Sequence, residues 1–597
     1  MTNKMERTYM RRFLTALPAL VLVLALALAG CGGSDNKKST TSGGGSDAAS
    51  TGGKQGGSVT VLDAEGVDSL DPGYWYYQSD YMELGQTTQR MLYGWEPEKT
   101  EPSPDLAASM PETSADGKTV TIKLKPNIKY GPPLQTRTVK AADIKYGLER
   151  AFLPQVGNGY VGAYLSDVVG VKAYQDKKAK EISGITTPDD ATLVIKLDKP
   201  VGVISNGQAL ALPAAGAVPK DYAAKYDAGK ASKYGEHAVA TGPYMIKNDG
   251  KGTITGYQPG KRLELVRNPS WDAKTDFRPA YFDTITFSGG NDLDVASRRI
   301  LTGNALMSGD FAAPPTNVLK SALQNNKDQL SIEPSQGNRF VALNTKIKPL
   351  DNVNVRRAIA AAMDRNTLRL TRGGETLGPI ATHSLPPGIP GYEEAGGAKG
   401  FGFDFMAKPT ADIPLAMSYM KKGGFPSGKY TGPPLLMVGD NQAPASKTGE
   451  AFQSQMAKIG FKFNYRQVPH ATAGSKFCTV PKSKTAICPN LGWGKDFFDA
   501  QSMLDPLFNS KNIVPVGNVN YAQVNDPKID ALLGKLVSET DPAKRAKGYA
   551  EVDKITTDGA YLIPWLWDNQ INFTSKDVKG VRNKFNSSWD MTYSSLK

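Results

Sequence analysis

Alternating apolar and polar positions predict half-buried strands in the first part of the folded chain. Apolar residues occupy every second position of the segment 120–124, and the segment 193–197 repeats the pattern. A period of two places all of these side chains on one face of a strand, where they can pack on a core. We therefore expect at least two strands there with one buried and one exposed face.

A strand, a helix and a second strand follow one another later in the chain. The segments 435–438 and 461–468 are strand-like, and between them Phe452, Met456 and Ile459 fall on one face of a helix. Such a unit requires a right-handed crossover between parallel strands. Together with the alternating strands, it predicts an α/β protein with mixed sheets.

The N-terminus has the pattern of an export signal. Arg11 and Arg12 precede the apolar run 13–30, which ends in Leu-Ala-Gly directly before Cys31. The segment 28–31 resembles a bacterial lipobox, in which the cysteine becomes the lipid-modified first residue. A signal anchor or a plain secretory signal is the alternative. We expect 1–30 to be a lipoprotein signal peptide and Cys31 to be the lipidation site, on the outer face of the bacterial cytoplasmic membrane.

The segment 31–57 is rich in Gly, Ser and Thr and lacks an apolar cluster, which predicts a flexible tether. Its root-mean-square reach would be roughly 25–30 Å. A folded body on such a tether stands off the membrane but stays close to a membrane partner. Because no second apolar stretch of spanning length follows, we expect the body itself to be soluble.

The charge of the chain changes this picture little. The formal net charge is +13 over 597 residues. Nucleic-acid binding is not expected, because no block rich in Lys and Arg is interleaved with aromatic residues. A basic face toward anionic wall polymer or lipid and an ordinary solvated surface both remain open.

Two cysteines follow Cys31, at positions 478 and 488. In an oxidising compartment, Cys478 and Cys488 are expected to form one disulfide. A reactive catalytic thiol is the alternative, but its histidine partner would have to come from only three in the chain.

Enzyme motifs are missing from the sequence. It contains no Gly-x-Ser-x-Gly, His-Glu-x-x-His or phosphate-binding Gly-x-x-x-x-Gly-Lys-Ser/Thr pattern. Scattered carboxylates leave a glycosidase or another acid/base enzyme as an alternative. His237, His383 and His470 are too dispersed for a direct metal site. We expect no enzyme, no catalytic residue, no cofactor and no metal.

Short motifs occur in a fixed order from residue 69 to residue 564. They lie at 69–72, 104–107 with 116–119, 142–150, 241–244, 267–271, 344–365, 492–496 and 563–564. In this order they resemble the peptide and nickel class of extracellular solute-binding proteins, the dipeptide- and oligopeptide-binding lipoproteins of ABC importers. The resemblance covers essentially all of the chain after residue 57.

The resemblance implies a two-lobed fold of the hinged type II class, with an extra domain inserted in lobe one. Two crossings between the lobes allow closure on a ligand without unfolding either lobe. The expected boundaries are 58–97, 240–336 and 566–597 for lobe one, 98–239 for the inserted domain, and 337–565 for lobe two.

The resemblance also implies how ligand is held. An extended peptide adds as a strand, and its backbone amides pair with those of the protein. Gly492 and Gly494 would let the backbones approach closely, and Trp493 would form an apolar wall. Asp496 matches the position that binds the ligand's α-ammonium in the family. A surface loop carboxylate is the alternative for Asp496.

Aromatic residues follow the first motif. Trp75, Tyr76 and Tyr77 stand where the family lines its cleft, so we expect at least one of them to contact ligand. An aromatic strand packed on the core is the alternative.

Taken together, these features predict a monomeric substrate-binding lipoprotein that delivers peptides to the ABC permease subunits in the membrane. Three alternatives remain within the binding proteins. The ligand is a metal chelate such as nickel, or another small solute, or the chain is a ligand-binding subunit that feeds a signalling system.

Overall fold

Strands from distant parts of the chain form a six-stranded sheet, which we call the lobe-one sheet. The computed structural model describes residues 52–64, 66–67, 69–75, 80–309, 314–515 and 517–597. Ser58–Leu62 lies inside the sheet and is parallel to both of its neighbours. In order, the strands are Leu306–Ser308, Ser58–Leu62, Thr284–Ser288, Arg262–Arg267 and Tyr244–Ile246, with Tyr257–Gln258 paired to Arg262–Arg267.

A five-stranded sheet, the lobe-two sheet, contains the predicted strand-helix-strand unit. Leu435–Asp440 is parallel to Phe463–Val468, and the helix Ala445–Ala457 connects them, as the sequence predicts. The mixed α/β class is thereby confirmed. In order, the strands are Phe463–Val468, Leu435–Asp440, Ile487–Gly494, Leu330–Leu343 and Leu562–Phe573.

A four-stranded antiparallel sheet lies within the predicted inserted domain. The alternating pattern in its two inner strands is confirmed, since Val120, Ile122, Leu193 and Ile195 are all buried. The predicted lobe and insert boundaries stay predictions. The strands of this sheet are Glu112–Thr113, Thr119–Lys123, Thr192–Lys196 and Ile185–Asp189, and smaller pairs join Tyr93–Gly94 to Ser103–Pro104 and Val578–Lys579 to Ser595–Leu596.

Helices surround the sheets, and several begin at a capping aspartate. Asp526 and Asp541 each accept a hydrogen bond from a backbone N–H of the first turn. The longer helices are Ala141–Ala151, Leu293–Thr302, Thr316–Asn325, Val353–Ala362, Arg365–Arg372, Ile413–Lys422, Ala445–Ala457, Gln501–Phe508, Pro527–Val537 and Pro542–Asp558. Shorter α-helices are Gln86–Thr88, Val161–Tyr164, Val171–Gln175, Gly202–Ser205, Lys220–Ala223, Asp404–Ala407 and His470–Ala473, and π-helical turns are Asp80–Gly85 and Gly474–Cys478.

Two long antiparallel strands connect the two large sheets. Leu330–Leu343 pairs with Leu562–Phe573, but the register shifts between Pro334 and Gly337. Gln336, inside this break, has a φ of 52°, in the left-handed region that residues with side chains rarely adopt. On one side of the break the pair reaches the lobe-one strand Leu306–Ser308, because Phe573 donates its backbone N–H to Ser308 Oγ. On the other side it lies inside the lobe-two sheet.

The end of the predicted tether is held against lobe one. Gly56 donates its N–H to the carbonyl of Tyr281 at 2.9 Å, and Gly57 accepts from the N–H of Asp283 at 2.7 Å. Both glycines have a positive φ, which other residues rarely adopt. The prediction of flexibility up to residue 57 is therefore wrong for these last residues, because their backbone groups are paired.

The predicted export signal lies outside the described residues, as do Cys31 and the first part of the predicted tether. Among the residues that are described, no helix combines the length and apolar composition that a bilayer span requires.

A buried arginine joins the opening turn of lobe one to the inserted domain. The Arg150 guanidinium donates two hydrogen bonds to Asp71, at 2.7 and 2.8 Å, and two to Asp227, at 3.0 and 2.7 Å. All three side chains are nearly inaccessible to solvent. Burial opposes ionisation of Asp227, but Arg150 outweighs it and keeps the pKa of Asp227 below its ordinary value. The ion cluster therefore holds two segments together that are far apart in sequence.

Replacing Arg150 by methionine tests this role. Arg150→Met leaves two buried carboxylates without their cation, so we expect the free energy of unfolding to fall by roughly 3–5 kcal/mol. Urea unfolding followed by circular dichroism measures the change. Arg298→Met is the matched control, because it removes an exposed ion pair with Asp294 and should leave the unfolding midpoint nearly unchanged. Equal effects of the two substitutions would contradict the role given to Arg150.

Candidate functional site

A cavity of about 400 Å³ lies between the two large sheets. This volume is within the range of pockets that bind small ligands. Residues from both lobes line it, so a ligand inside would contact both. On the lobe-two side the lining includes Asn338, Arg339, Asp440, Asn490 and Gly492, and on the opposite side Glu83, Ser308, Gly309, Trp589 and Met591.

One strand edge is open along the cavity. Ile487–Gly494 pairs with Leu330–Leu343 on one side, up to Gly494 opposite Gly337. On its other side, within the described residues, pairing with Leu435–Asp440 is confined to Met437 and Ile487. The end of this strand that lines the cavity therefore offers backbone N–H and C=O groups to an added strand.

Three of the predicted ligand residues lie on this open edge. Gly492, Trp493 and Gly494 all line the cavity. A Cβ atom on Gly492 would lie 3.1 Å from the carbonyl oxygen of Asn338 and 3.3 Å from Nη1 of Arg339, so a side chain there would crowd the neighbouring strand. The indole of Trp493 is held in place, because its Nε1 donates to the carbonyl of Ser502 at 2.8 Å.

Asp496 lies beside the inserted domain and not among the residues that line the cavity. Its carboxylate accepts a hydrogen bond from the Tyr164 hydroxyl. The neighbouring Phe497 ring is 4.8 Å from the Tyr164 ring, centre to centre. Burial raises the pKa of Asp496 to about 7, although the Tyr164 hydrogen bond opposes the rise. The ligand contact expected of Asp496 stays a prediction.

Lys495, which lies within the 492–496 motif but has no role assigned from the sequence, lies between the lobes at the register break. Its ammonium donates to Gln336 Oε1 at 2.8 Å and to the carbonyl of Phe585 in the C-terminal segment. It also lies 4.5 Å from the centre of the Phe498 ring. Burial lowers the pKa of Lys495 to about 7. The loop after the open strand edge thus contacts lobe one at Lys495 and the inserted domain at Asp496.

The predicted aromatic residues divide into two groups. Trp75 is 1% exposed, packs in one cluster with Val61 and Phe287, and donates its Nε1 hydrogen to the carbonyl of Ser69 at 2.7 Å. Trp75 therefore packs in the core, which was the alternative to a position in the cleft, and it does not line the cavity. Tyr76 and Tyr77 lie outside the described residues.

The structure joins Cys478 to Cys488 by a disulfide, and both cysteines line the cavity. The bridge ties the π-helical turn Gly474–Cys478 to the start of the strand whose far end forms the open edge. It therefore restrains one wall of the cavity.

Charged side chains in the cavity come from segments that the sequence does not connect. Arg339 Nε donates to Asp568 at 2.6 Å, and His470 Nδ1 lies 2.7 Å from Asp440 Oδ2. Glu83 is a third carboxylate in the lining. Among the described residues, no three His, Cys, Asp or Glu side chains are grouped as metal ligands. Sequence reasoning missed these groups, because each lies on a different strand or loop and no spacing links them.

Comparison with known proteins agrees with the architecture. The chain is 26% identical over 531 residues to the glutathione-binding protein GsiB of Escherichia coli O6:K15:H31, covering 88% of this chain and 91% of that protein. The solved structure of clavulanic acid biosynthesis oligopeptide binding protein 2 has a TM-score of 0.78 at 25% identity, covering 91% of this chain and 96% of its own. The E. coli murein tripeptide binding protein MppA, at 20% identity, shares the fold with a TM-score of 0.72, covering 91% of this chain and 98% of its own.

A family profile settles the class. The profile of bacterial extracellular solute-binding proteins, family 5 (middle), matches residues 101–514, which is more than half of the chain. The resemblance stated from the motifs and the two-lobed type II fold are thereby confirmed. The chain belongs to family 5 of the bacterial extracellular solute-binding proteins, so it is a substrate-binding component of an ABC transporter and not an enzyme.

Proposed function

We propose that this protein captures peptides outside the cell, in the cavity between its lobes, and delivers them as a monomer to the permease subunits of an ABC importer. The observation that carries the proposal is the open edge of Ile487–Gly494 along the cavity. An extended peptide pairs its own backbone with such an edge, which gives affinity with little dependence on side chains. The names of the relatives support a peptide ligand, since they bind glutathione, oligopeptides or a murein tripeptide.

Asp496 is the proposed anchor for the peptide's α-ammonium. It follows the open edge by two residues, and its carboxylate is removed from bulk water beside Tyr164. A carboxylate in such surroundings gains strongly from a cation, because the charge-assisted contact replaces lost hydration. With a pKa of about 7, Asp496 is protonated in about half of the ligand-free molecules at neutral pH and in most of them at lower pH.

The anchor predicts a pH-dependent affinity. The ammonium binds the ionised carboxylate, so Kd for Ala-Ala-Ala should rise as pH falls below about 7, by about tenfold per pH unit. Asp496→Asn should remove this dependence and weaken binding by about two to four decades, the equivalent of roughly 3–5 kcal/mol. Isothermal titration calorimetry between pH 5.5 and 8 measures both effects.

Acetylation of the peptide's N-terminus is the matching change on the ligand. It should weaken binding to the wild type as much as Asp496→Asn does, and the two changes should not add, because each removes the same contact. Asp190→Asn, at an exposed site of the inserted domain, is the control and should bind like the wild type. If Asp496→Asn bound Ala-Ala-Ala as tightly as the wild type does, Asp496 would not be the anchor of the peptide's α-ammonium.

We also propose that a lipid on Cys31 holds the protein to the outer face of the cytoplasmic membrane. The support is the lipobox-like segment 28–31 after a basic and apolar leader. A lipid anchor would keep the binding protein close to its permease and so raise the effective concentration of the binding protein at the permease.

Metabolic labelling tests the anchor. A clickable fatty acid should label the wild-type protein and should not label Cys31→Ser, and the substituted protein should move from the membrane fraction to the medium or periplasm. Label on both proteins would show that Cys31 is not the modified residue.

A further inference from the structure

We propose that Asn338, Asp440 and Asn490 form a subsite for a cationic group of the ligand, an ammonium or guanidinium of the lysine or arginine type. The inference rests on the proposed peptide-binding function and narrows it to peptides with a basic side chain. We call these three residues the acceptor cluster.

Each residue of the acceptor cluster lines the cavity and has a buried oxygen without a hydrogen-bond partner among the described residues. The oxygens are Oδ1 of Asn338, Oδ1 of Asp440 and Oδ1 of Asn490. Buried polar atoms are nearly always paired, and leaving one unpaired costs free energy. Because all three residues belong to the lining of one cavity, we infer that a ligand group with several hydrogen-bond donors would complete the site.

Neighbouring contacts orient the cluster. Asn338 is 2% exposed, and its Nδ2 donates to the carbonyl of Ser384 at 2.6 Å, which leaves its Oδ1 as the unpaired atom. The other oxygen of Asp440 is paired with His470 at 2.7 Å. Asp440, Asn490 and Asn338 come from three strands that are adjacent in the lobe-two sheet. The cluster therefore spans three neighbouring strands of one sheet.

Charge selects a cation over a neutral donor. Among the described residues of the lining, the charged side chains are the carboxylates of Glu83, Asp440 and Asp568 and the guanidinium of Arg339, and the His470 ring is hydrogen-bonded to Asp440. Arg339 is already paired with Asp568. The cavity lining thus has an excess of acid, although the whole chain carries a formal charge of +13. An ammonium brings three donors and a guanidinium five, and either adds the positive charge that a neutral amide lacks.

The acceptor cluster is separate from the proposed α-ammonium anchor. Asp496 contacts Tyr164 of the inserted domain and does not line the cavity, whereas Asp440 ends a strand of the lobe-two sheet. A ligand that binds both the Asp496 anchor and the acceptor cluster has two cationic groups, its N-terminal ammonium and a basic side chain.

Calorimetry with matched peptides tests the subsite. The probes are Lys-Ala-Ala, Ala-Lys-Ala and Ala-Ala-Lys, each paired with the peptide in which norleucine replaces lysine and keeps the shape without the charge. We expect lysine to bind the wild type at least tenfold more tightly than norleucine at one of the three positions. In Asp440→Asn this advantage should fall below about threefold, while the norleucine peptides bind as they do to the wild type.

Two further variants of the protein complete the test. Asn490→Leu removes an acceptor without touching the charge and should lose part of the lysine advantage, so the test survives if Asp440→Asn does not fold. Asp294→Asn, at an exposed helix position, should keep all of the advantage. Peptides that bind with no lysine advantage, or an advantage that persists in Asp440→Asn, would overturn the subsite alone. A wild type that binds none of the six peptides would overturn the proposed function as well.

Discussion

The antiparallel pairing of Leu330–Leu343 with Leu562–Phe573 is the constraint on which the site depends. These two strands belong to the lobe-two sheet over most of their length and reach the lobe-one sheet at one end. Their register break at Ser335 and Gln336 coincides with the predicted boundary between lobe one and lobe two at residue 336. A break in a ladder allows local bending without loss of the pairing on either side.

The contacts around the break connect it to the cavity. Asp568 lies opposite Gly337 in the ladder and holds Arg339, a cavity residue. Lys495 reaches Gln336 inside the break and also the carbonyl of Phe585. Since Lys495 follows the open edge of Ile487–Gly494 directly, its hydrogen bonds connect that edge to the register break and to the C-terminal segment.

Buried ion clusters fix the remainder of lobe one and the inserted domain. Beside the Arg150 cluster, a second one places Asp105 between two arginines, with Arg90 Nε and Arg278 Nη2 each 2.6 Å from one of its oxygens. Arg278 is also held by Asp276 at 2.8 Å. Asp71, Asp105 and Arg150 all belong to the motifs by which the family is recognised. The motifs that contain these three residues therefore encode the frame of the protein, whereas the motif at 492–496 lies at the cavity.

This division explains what the sequence could predict. Periodicity predicted the strands around Val120 and Leu193 and the unit that contains Phe452, because local patterns determine them. Motif order predicted the lobes and pointed to Gly492 and Trp493, which line the cavity. The acceptors on Asn338, Asp440 and Asn490 carry no local signal, since only the pairing of distant strands brings them together. Trp75 is buried in the core. A run of aromatic residues in the sequence does not determine whether its members line a cleft or pack in a core.

Peptide capture as proposed requires that the ligand's backbone pairs with the open edge of Ile487–Gly494 between the lobes. A crystal structure of the mature protein with the ligand that co-purifies with it tests this claim most directly. We expect an extended peptide in the cavity, with its main chain hydrogen-bonded to the backbone between Asn490 and Gly494. A bound metal chelate, or a ligand held only by side chains while the strand edge stays unpaired, would contradict it.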